Sequence, residues 1–150
     1  MAQRIDLLNK NGSCCIENNL KKVELAISDS KIQEIGHLKN LKGINEIGAK
    51  ELLVLPGVID TKVHYREPGS TEADDLNSGS RAAILGGVTS VFEMPNTNPQ
   101  TSSEKEFLKQ LDLATNRMFC NYAFYFGATT QTMEYLKKEK KNEIFFFQKY

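Results

Sequence analysis

LPGVIDTKVHYREPG, residues 55–69, and VTSVFEMPNTNP, residues 88–99, are the two stretches whose reading decides the fold. Each starts as a run of strand length rich in β-branched residues and ends in a cluster of Pro, Gly or Asn, the residues of turns. Val58–Tyr65 reads as one strand. Val88–Met94 reads as the next, mostly apolar, as a buried parallel strand should be. Between them SGSRAAILGG, residues 78–87, supplies helix formers, and the pattern predicts a helix over Leu76–Leu85 ended by Gly86 and Gly87. Strand, helix and strand in this order make a parallel βαβ unit.

The alternation continues towards the C-terminus. Ser103 precedes Glu106 by the capping-box spacing, so a second helix is expected to start there and run to about Asn116, with Phe107, Leu108, Leu111 and Ala114 on one stripe. Asn121–Gly127 reads as a third strand. Its aromatic run, Tyr122, Phe124, Tyr125 and Phe126, is expected in the core, because base stacking would need basic residues interleaved with it. A third helix is expected over Gln131–Asn142, where Lys137, Lys138, Lys140 and Lys141 mix with Glu134, Glu139 and Glu143 as a solvated face. Ile144–Phe147 begins a fourth strand-like run. The first 54 residues have another texture: short strands over Arg4–Lys10, Ser13–Ile16, Lys22–Ser28 and Lys31–Gly36, with Asn11-Gly12 as a hairpin turn and Asn18-Asn19 as a second turn signal. Two domains follow: a small β-rich unit, 1–54, and a βα unit, 55–150. Periodicity does not separate an open parallel sheet from a section of a closed barrel.

Composition bounds the function. At 150 residues, 40% hydrophobic and 25% charged, this is a soluble domain with no net charge, and so it lacks the footprint of a nucleic-acid or acidic-membrane binder. No apolar run approaches the ~18 residues of a membrane span. The start, MAQRIDLLNKNG, lacks a signal peptide's apolar core, so the cytoplasm is expected. Cys14 and Cys15 are adjacent, a poor geometry for a disulfide. Cys120 is expected in the core, and no Cys–His spacing suggests a zinc finger.

The chemistry gathers on the first βα strand. Asp60, Lys62, His64 and Arg66 share one parity and are expected on one side of it, with Ile59, Val63 and Tyr65 on the other. Ionisable groups on a buried strand cost free energy unless they bind something or pair with each other. Both readings stand: a binding site at the strand's C-terminal end, where βα folds place active sites, or an ion-pair network of Asp60 with Lys62 and Arg66. Asn96 reads either as a turn residue after Pro95 or as a ligand contact. His37, without an acidic or Cys/His partner at ligand spacing, reads as a surface histidine.

Taken together, HYREPG at 64–69 and MPNTNP at 94–99 resemble the dihydroorotase group of the amidohydrolase superfamily, from about Leu53 to Thr129. The resemblance implies the first three to four strands of a (β/α)8 TIM-type metallo-hydrolase barrel, incomplete here, after the β-rich unit. It implies interconversion of carbamoyl aspartate and dihydroorotate in pyrimidine biosynthesis, with zinc as the divalent metal. The family strand reads Asp-x-His-x-His. His64 matches the second, metal-binding histidine, and Lys62 stands at the first. An ammonium cannot ligate a metal and would repel one. Arg66 matches the arginine that grips the substrate carboxylate, and Asn96 a second substrate contact. Asp60 would steady the strand, Glu67 and Pro68 would shape the following loop, and Glu93 has no implied role. The resemblance implies a bridging lysine on the fourth strand, and two further histidines and a catalytic aspartate on later strands. No catalytic residue is therefore assigned within this chain, and Lys149 does not match the bridging lysine's local pattern.

REPG and MPNT favour dihydroorotase over the related hydantoinases and allantoinases. Lys62 favours a non-catalytic pseudo-dihydroorotase that acts as a structural partner of aspartate carbamoyltransferase. On its own the chain is expected to be inactive, to come from a truncated reading frame, and to be oligomeric or aggregation-prone, because a partial barrel leaves a parallel strand edge open.

Overall fold

The computed structural model describes residues 4–130, 132 and 146–149, the last four by backbone alone; the helix expected over 131–142 lies outside the described residues, Thr132 apart. Two compact units divide between Pro56 and Gly57. The boundary expected after residue 54 falls just inside the first unit, where Val54 ends a strand paired with the N-terminal sheet.

The first unit is one sheet of β1 (Leu7–Ile16), β2 (Asn19–Ser28), β3 (Lys31–Gly36), β4 (Asn45–Gly48) and β5 (Leu53–Val54). Its order is β3-β2-β1-β4, with β5 also beside β1. β1 and β2, and β2 and β3, are antiparallel, whereas β4 and β5 run parallel to β1. Asn11-Gly12 is not the expected hairpin turn. β1 runs straight through it, and the register against β2 slips between Asn9 and Gly12. Asn11 takes φ 61°, the left-handed conformation that asparagine tolerates, and the pair forms a β-bulge. A Cβ on Gly12 would lie 2.7 Å from Val54 Cγ2, so glycine lets β5 approach β1 closely. The hairpin turn sits at Glu17-Asn18, where φ is 50° and 62°, the doubly left-handed pair that matches strand twist. Ile5, Leu8, Ala26 and Leu38 form this unit's core. Beside it the buried Glu24 carboxylate accepts the Leu38 backbone N–H at 2.7 Å.

The second unit alternates as expected as far as β8: β6 (Val58–Val63), α1 (Leu76–Leu85), β7 (Val88–Glu93), α2 (Glu104–Ala114) and β8 (Asn121–Ala128); β9 (Phe146–Lys149) follows later in the chain. All four strands are parallel, in the order β6-β7-β8-β9. Both helices are capped by side chains. Asp75 accepts the Ser78 N–H while Ser78 returns a bond to the Asp75 backbone, and Ser103 accepts the Glu106 N–H at 3.2 Å. Gly86 caps α1, and Gly87 leaves it at φ 84°.

Tyr65, Leu76, Val91, Ala114, Cys120 and Phe124 form the core, with Val63 and Phe107 packed on it. α2 is rotated from the expected stripe: Leu108 is 57% exposed, whereas Gln110 is buried. On that inward side Gln110 Nε2 donates to the Glu67 backbone carbonyl at 2.8 Å. α1 packs through Gly79, where an added Cβ would overlap the Tyr65 ring. Tyr65 is buried, so Gly79→Ala should lose about 2 kcal/mol of stability, the usual penalty of overpacking. Denaturant unfolding checks this; an unchanged midpoint would show that the ring moves freely.

Candidate functional site at the C-terminal ends of the first two parallel strands

β6 is shorter and less regular than expected. Asp60 pairs with Val91 and Val63 with Glu93, so β6 has one more residue than β7 over this stretch. Asp60 Oδ1 accepts the Lys62 backbone N–H at 2.9 Å. This i to i+2 bond competes with the ladder and folds the strand into a bulge. The four-residue row read from parity is therefore interrupted. The bulge puts Asp60 out of phase with His64, and the strand ends at Val63. Arg66, three residues past the end of β6, takes left-handed backbone at φ 60° and does not continue the extended strand. The alternative ion-pair network is not formed either: among the described residues no salt bridge joins Asp60 to Lys62 or Arg66.

The tertiary structure does bring the two sequence motifs together. His64 and Asn96 leave adjacent strands, and His64 Nδ1 lies 2.9 Å from Asn96 Oδ1. An amide oxygen only accepts, so Nδ1 is the donor in this contact. The loops that follow interlock. Asn98 N–H donates to the Pro68 carbonyl at 2.8 Å, and Gly69, at φ 132°, lies against Asn98, where a Cβ would come within 3.0 Å. Gly127 N–H donates to the Thr101 carbonyl at 2.8 Å, tying in β8. The strand ends thus form one connected floor, as open positions at the C-terminal edge of parallel sheets do. Lys62 and Arg66 are exposed and His64 is half-buried.

Two acids support this floor from within. Glu67 is buried, and its carboxylate accepts the Arg117 guanidinium at 2.7 and 3.0 Å and the Leu76 N–H at 3.0 Å. The pairing raises the Arg117 pKa. Glu93, to which the sequence assigned no role, is 2% exposed. Both its oxygens accept the Tyr65 backbone N–H, at 3.1 and 3.0 Å, and this holds the residue between His64 and Arg66. Burial lifts its pKa to about 8, against the opposing effects of the Tyr65 N–H and of Arg66; Asp74 adds to the rise. Its only signal in the sequence was an acid within an otherwise apolar strand. His37 lies apart, in the first unit, exposed on an open cavity of about 680 Å³ that also touches Lys22, Lys39 and Lys50.

The residues present do not fit a divalent metal. One imidazole nitrogen is available at His64, the neighbouring position carries an ammonium, and among the described residues no three His, Cys, Asp or Glu side chains gather.

Among curated proteins, the chain is similar to a dihydroorotase of Lactobacillus acidophilus, 37% identical over 81% of this chain and 28% of that one. It is also similar to the multifunctional protein CAD of Squalus acanthias, 42% identical over 62% of this chain and 4% of that one. Among solved structures, the L-hydantoinase (dihydropyrimidinase) of Arthrobacter aurescens matches with a TM-score of 0.81 and 25% identity, over 89% of this chain and 30% of that one. The chain spans less than a third of each of these proteins. Its second unit corresponds to a section of their TIM-type barrel, whose members generally hold divalent metals. The amidohydrolase family model covers residues 53–148, both motif loops and the parallel strands up to the last residue of β9, and this chain belongs to that family.

Proposed function

We propose that this chain carries the substrate-gripping end of a dihydroorotase-type cyclic amide hydrolase of pyrimidine biosynthesis, acting in the cytoplasm. Arg66 takes the substrate carboxylate, its planar fork matching the two oxygens. Asn96 takes a polar group of the ring or carbamoyl arm. His64 is the one side chain that corresponds to a metal ligand, for zinc in the family's usual chemistry; no step is assigned through it. The contact of His64 with Asn96 carries the reading, since it brings residues 32 positions apart into one place. No helix among the described residues is long and apolar enough to cross a membrane.

Binding of carbamoyl aspartate to the full chain, followed by calorimetry, tests the grip. Arg66→Met should weaken it roughly 10- to 100-fold, the usual loss of a charge-assisted pair. Equal affinity in the variant would remove Arg66 from the site. The likeness to a hydantoinase supports a second reading, a hydrolase of another ring. In that reading ligands without a carboxylate bind as tightly as carbamoyl aspartate. Lys62 supports a third, a non-catalytic partner of aspartate carbamoyltransferase. Ring closure by the polypeptide that carries this chain separates it from the enzyme readings.

A further inference from the structure

We infer that Glu93 is a positioning residue of the candidate site: its buried carboxyl fixes the peptide between His64 and Tyr65 and, together with Asn96, holds the His64 ring and the exit to Arg66 in one arrangement. It rests on reading His64, Asn96 and Arg66 as the site.

The chain just past β6 needs a support that the sheet does not give. β6 ends at Val63, and its ladder with β7 ends there too, the last pair being Val63 and Glu93. The Met94 N–H still reaches the Val63 carbonyl at 3.0 Å. Tyr65 lies beyond the ladder and is buried, where an unpaired backbone N–H is costly. A side chain meets it instead: both Glu93 oxygens accept the Tyr65 N–H, at 3.1 and 3.0 Å. A peptide unit is planar, so holding that N–H also holds the His64 carbonyl and the course of the chain at His64.

A second hold comes from the same segment, three residues on. Asn96 Oδ1 lies 2.9 Å from His64 Nδ1. Residues 93 and 96 therefore clamp residues 64 and 65 at two points, one on the backbone and one on the imidazole. On the far side of Tyr65, Arg66 takes φ 60°. A residue with a side chain keeps such backbone only where its surroundings fix it. Tyr65 is fixed twice, by its ring in the core and by its N–H on Glu93. Glu93 is itself 2% exposed, so it acts on a ligand only through the residues it holds.

The test follows the His64 ring in the full chain by nitrogen-edited NMR. The chain has two histidines, and His37, in the other unit, is the internal reference. Glu93→Leu removes the acceptor, and Glu93→Asp withdraws the carboxyl by one carbon. Glu93→Gln keeps an acceptor and matches the charge of a carboxyl that holds its proton up to about pH 8. Ser103→Ala removes the α2 cap and controls for lost stability alone. The Nδ1 hydrogen of His64 should exchange roughly 10-fold faster in Glu93→Leu and Glu93→Asp, as expected when a hydrogen bond of ordinary strength is lost, and at the unaltered rate in Glu93→Gln and Ser103→Ala. Should Glu93→Leu fail to fold, Glu93→Asp decides. An unchanged rate in the acceptor-deficient variants overturns the inference, as does an equal acceleration in Glu93→Gln or in Ser103→Ala. Calorimetry with carbamoyl aspartate adds a second readout: the acceptor-deficient variants should bind roughly 10-fold more weakly, and Glu93→Gln as the unaltered chain does. Equal affinity in all of them overturns the inference. If the unaltered chain does not bind, or Arg66→Met binds equally well, the grip reading fails and the His64 signal alone decides Glu93.

Discussion

Glu67→Ala will lower the stability of the second unit by about 3 kcal/mol. The carboxylate is the meeting point of the loop after β6, the start of α1 and the end of α2. It accepts the Leu76 N–H, one of the free donors of a helix N-terminus, which alanine would leave buried and unpaired. It also holds the Arg117 fork at 2.7 and 3.0 Å. Breaking a fully buried pair costs roughly 3–5 kcal/mol. The Arg117 side chain is 37% exposed, so water recovers part of that and the lower end applies. Gln110 still donates to the Glu67 backbone carbonyl, so the helix keeps that tie. Urea unfolding reads the effect as a lower midpoint at constant slope. Adding Arg117→Met to Glu67→Ala should cost little more, because the two share one interaction. A loss below 1 kcal/mol would show that the loop is held by backbone contacts alone.

Glu93 should make the second unit less stable as the pH rises. Its folded pKa lies near 8, against an ordinary value of 4.5. Between those values the folded chain keeps a proton that the unfolded chain has released, so stability falls with rising pH. Below about 4.5 both states are protonated and the effect is complete; above about 8 both are ionised and the loss levels off. At ~1.4 kcal/mol per pKa unit the loss across the window is at most about 5 kcal/mol. Glu93→Gln keeps the shape and an acceptor for the Tyr65 N–H but does not titrate. Its stability should stay flat where the unaltered chain declines, so it becomes the more stable of the two at high pH. Paired unfolding curves from pH 5 to 9 measure the difference. Two curves that run parallel would mean that Glu93 is ionised throughout or solvated.

The two acids also show where sequence reading stops. Glu67 stood in a loop motif and Glu93 in an apolar strand, and neither spacing says what lies opposite. Arg117 is 50 residues from Glu67, and Tyr65 is 28 from Glu93. Such partners are brought together only when the strands pair. The same limit explains α2. Its apolar residues suggested one buried stripe, but Leu108 is exposed while Gln110 is buried and donates to the Glu67 carbonyl, a partner 43 residues away that helix periodicity does not reveal. Asn11-Gly12 failed for a related reason. The dipeptide permits left-handed backbone, and a bulge uses that property as well as a hairpin does.

By itself the sequence determined the alternation of strands and helices from β6 to β8 and the two motif loops at the strand ends. Both are local matters: the period of apolar residues, the Ser103 cap, Gly86 and Gly87 after α1, and the HYREPG and MPNTNP loops. It also determined that Lys62 stands beside His64, a covalent fact that no folding alters. Tertiary structure alone decided how the site is arranged. Parity assumes an extended strand, and the Asp60 bond to Lys62 N–H together with the left-handed Arg66 ends that extension. What replaces the expected row is a set of contacts across strands: His64 to Asn96, Asn98 to Pro68, and Glu93 to Tyr65. These form between residues far apart in the chain, whose meeting depends on strand register, and register is a property of the packed sheet.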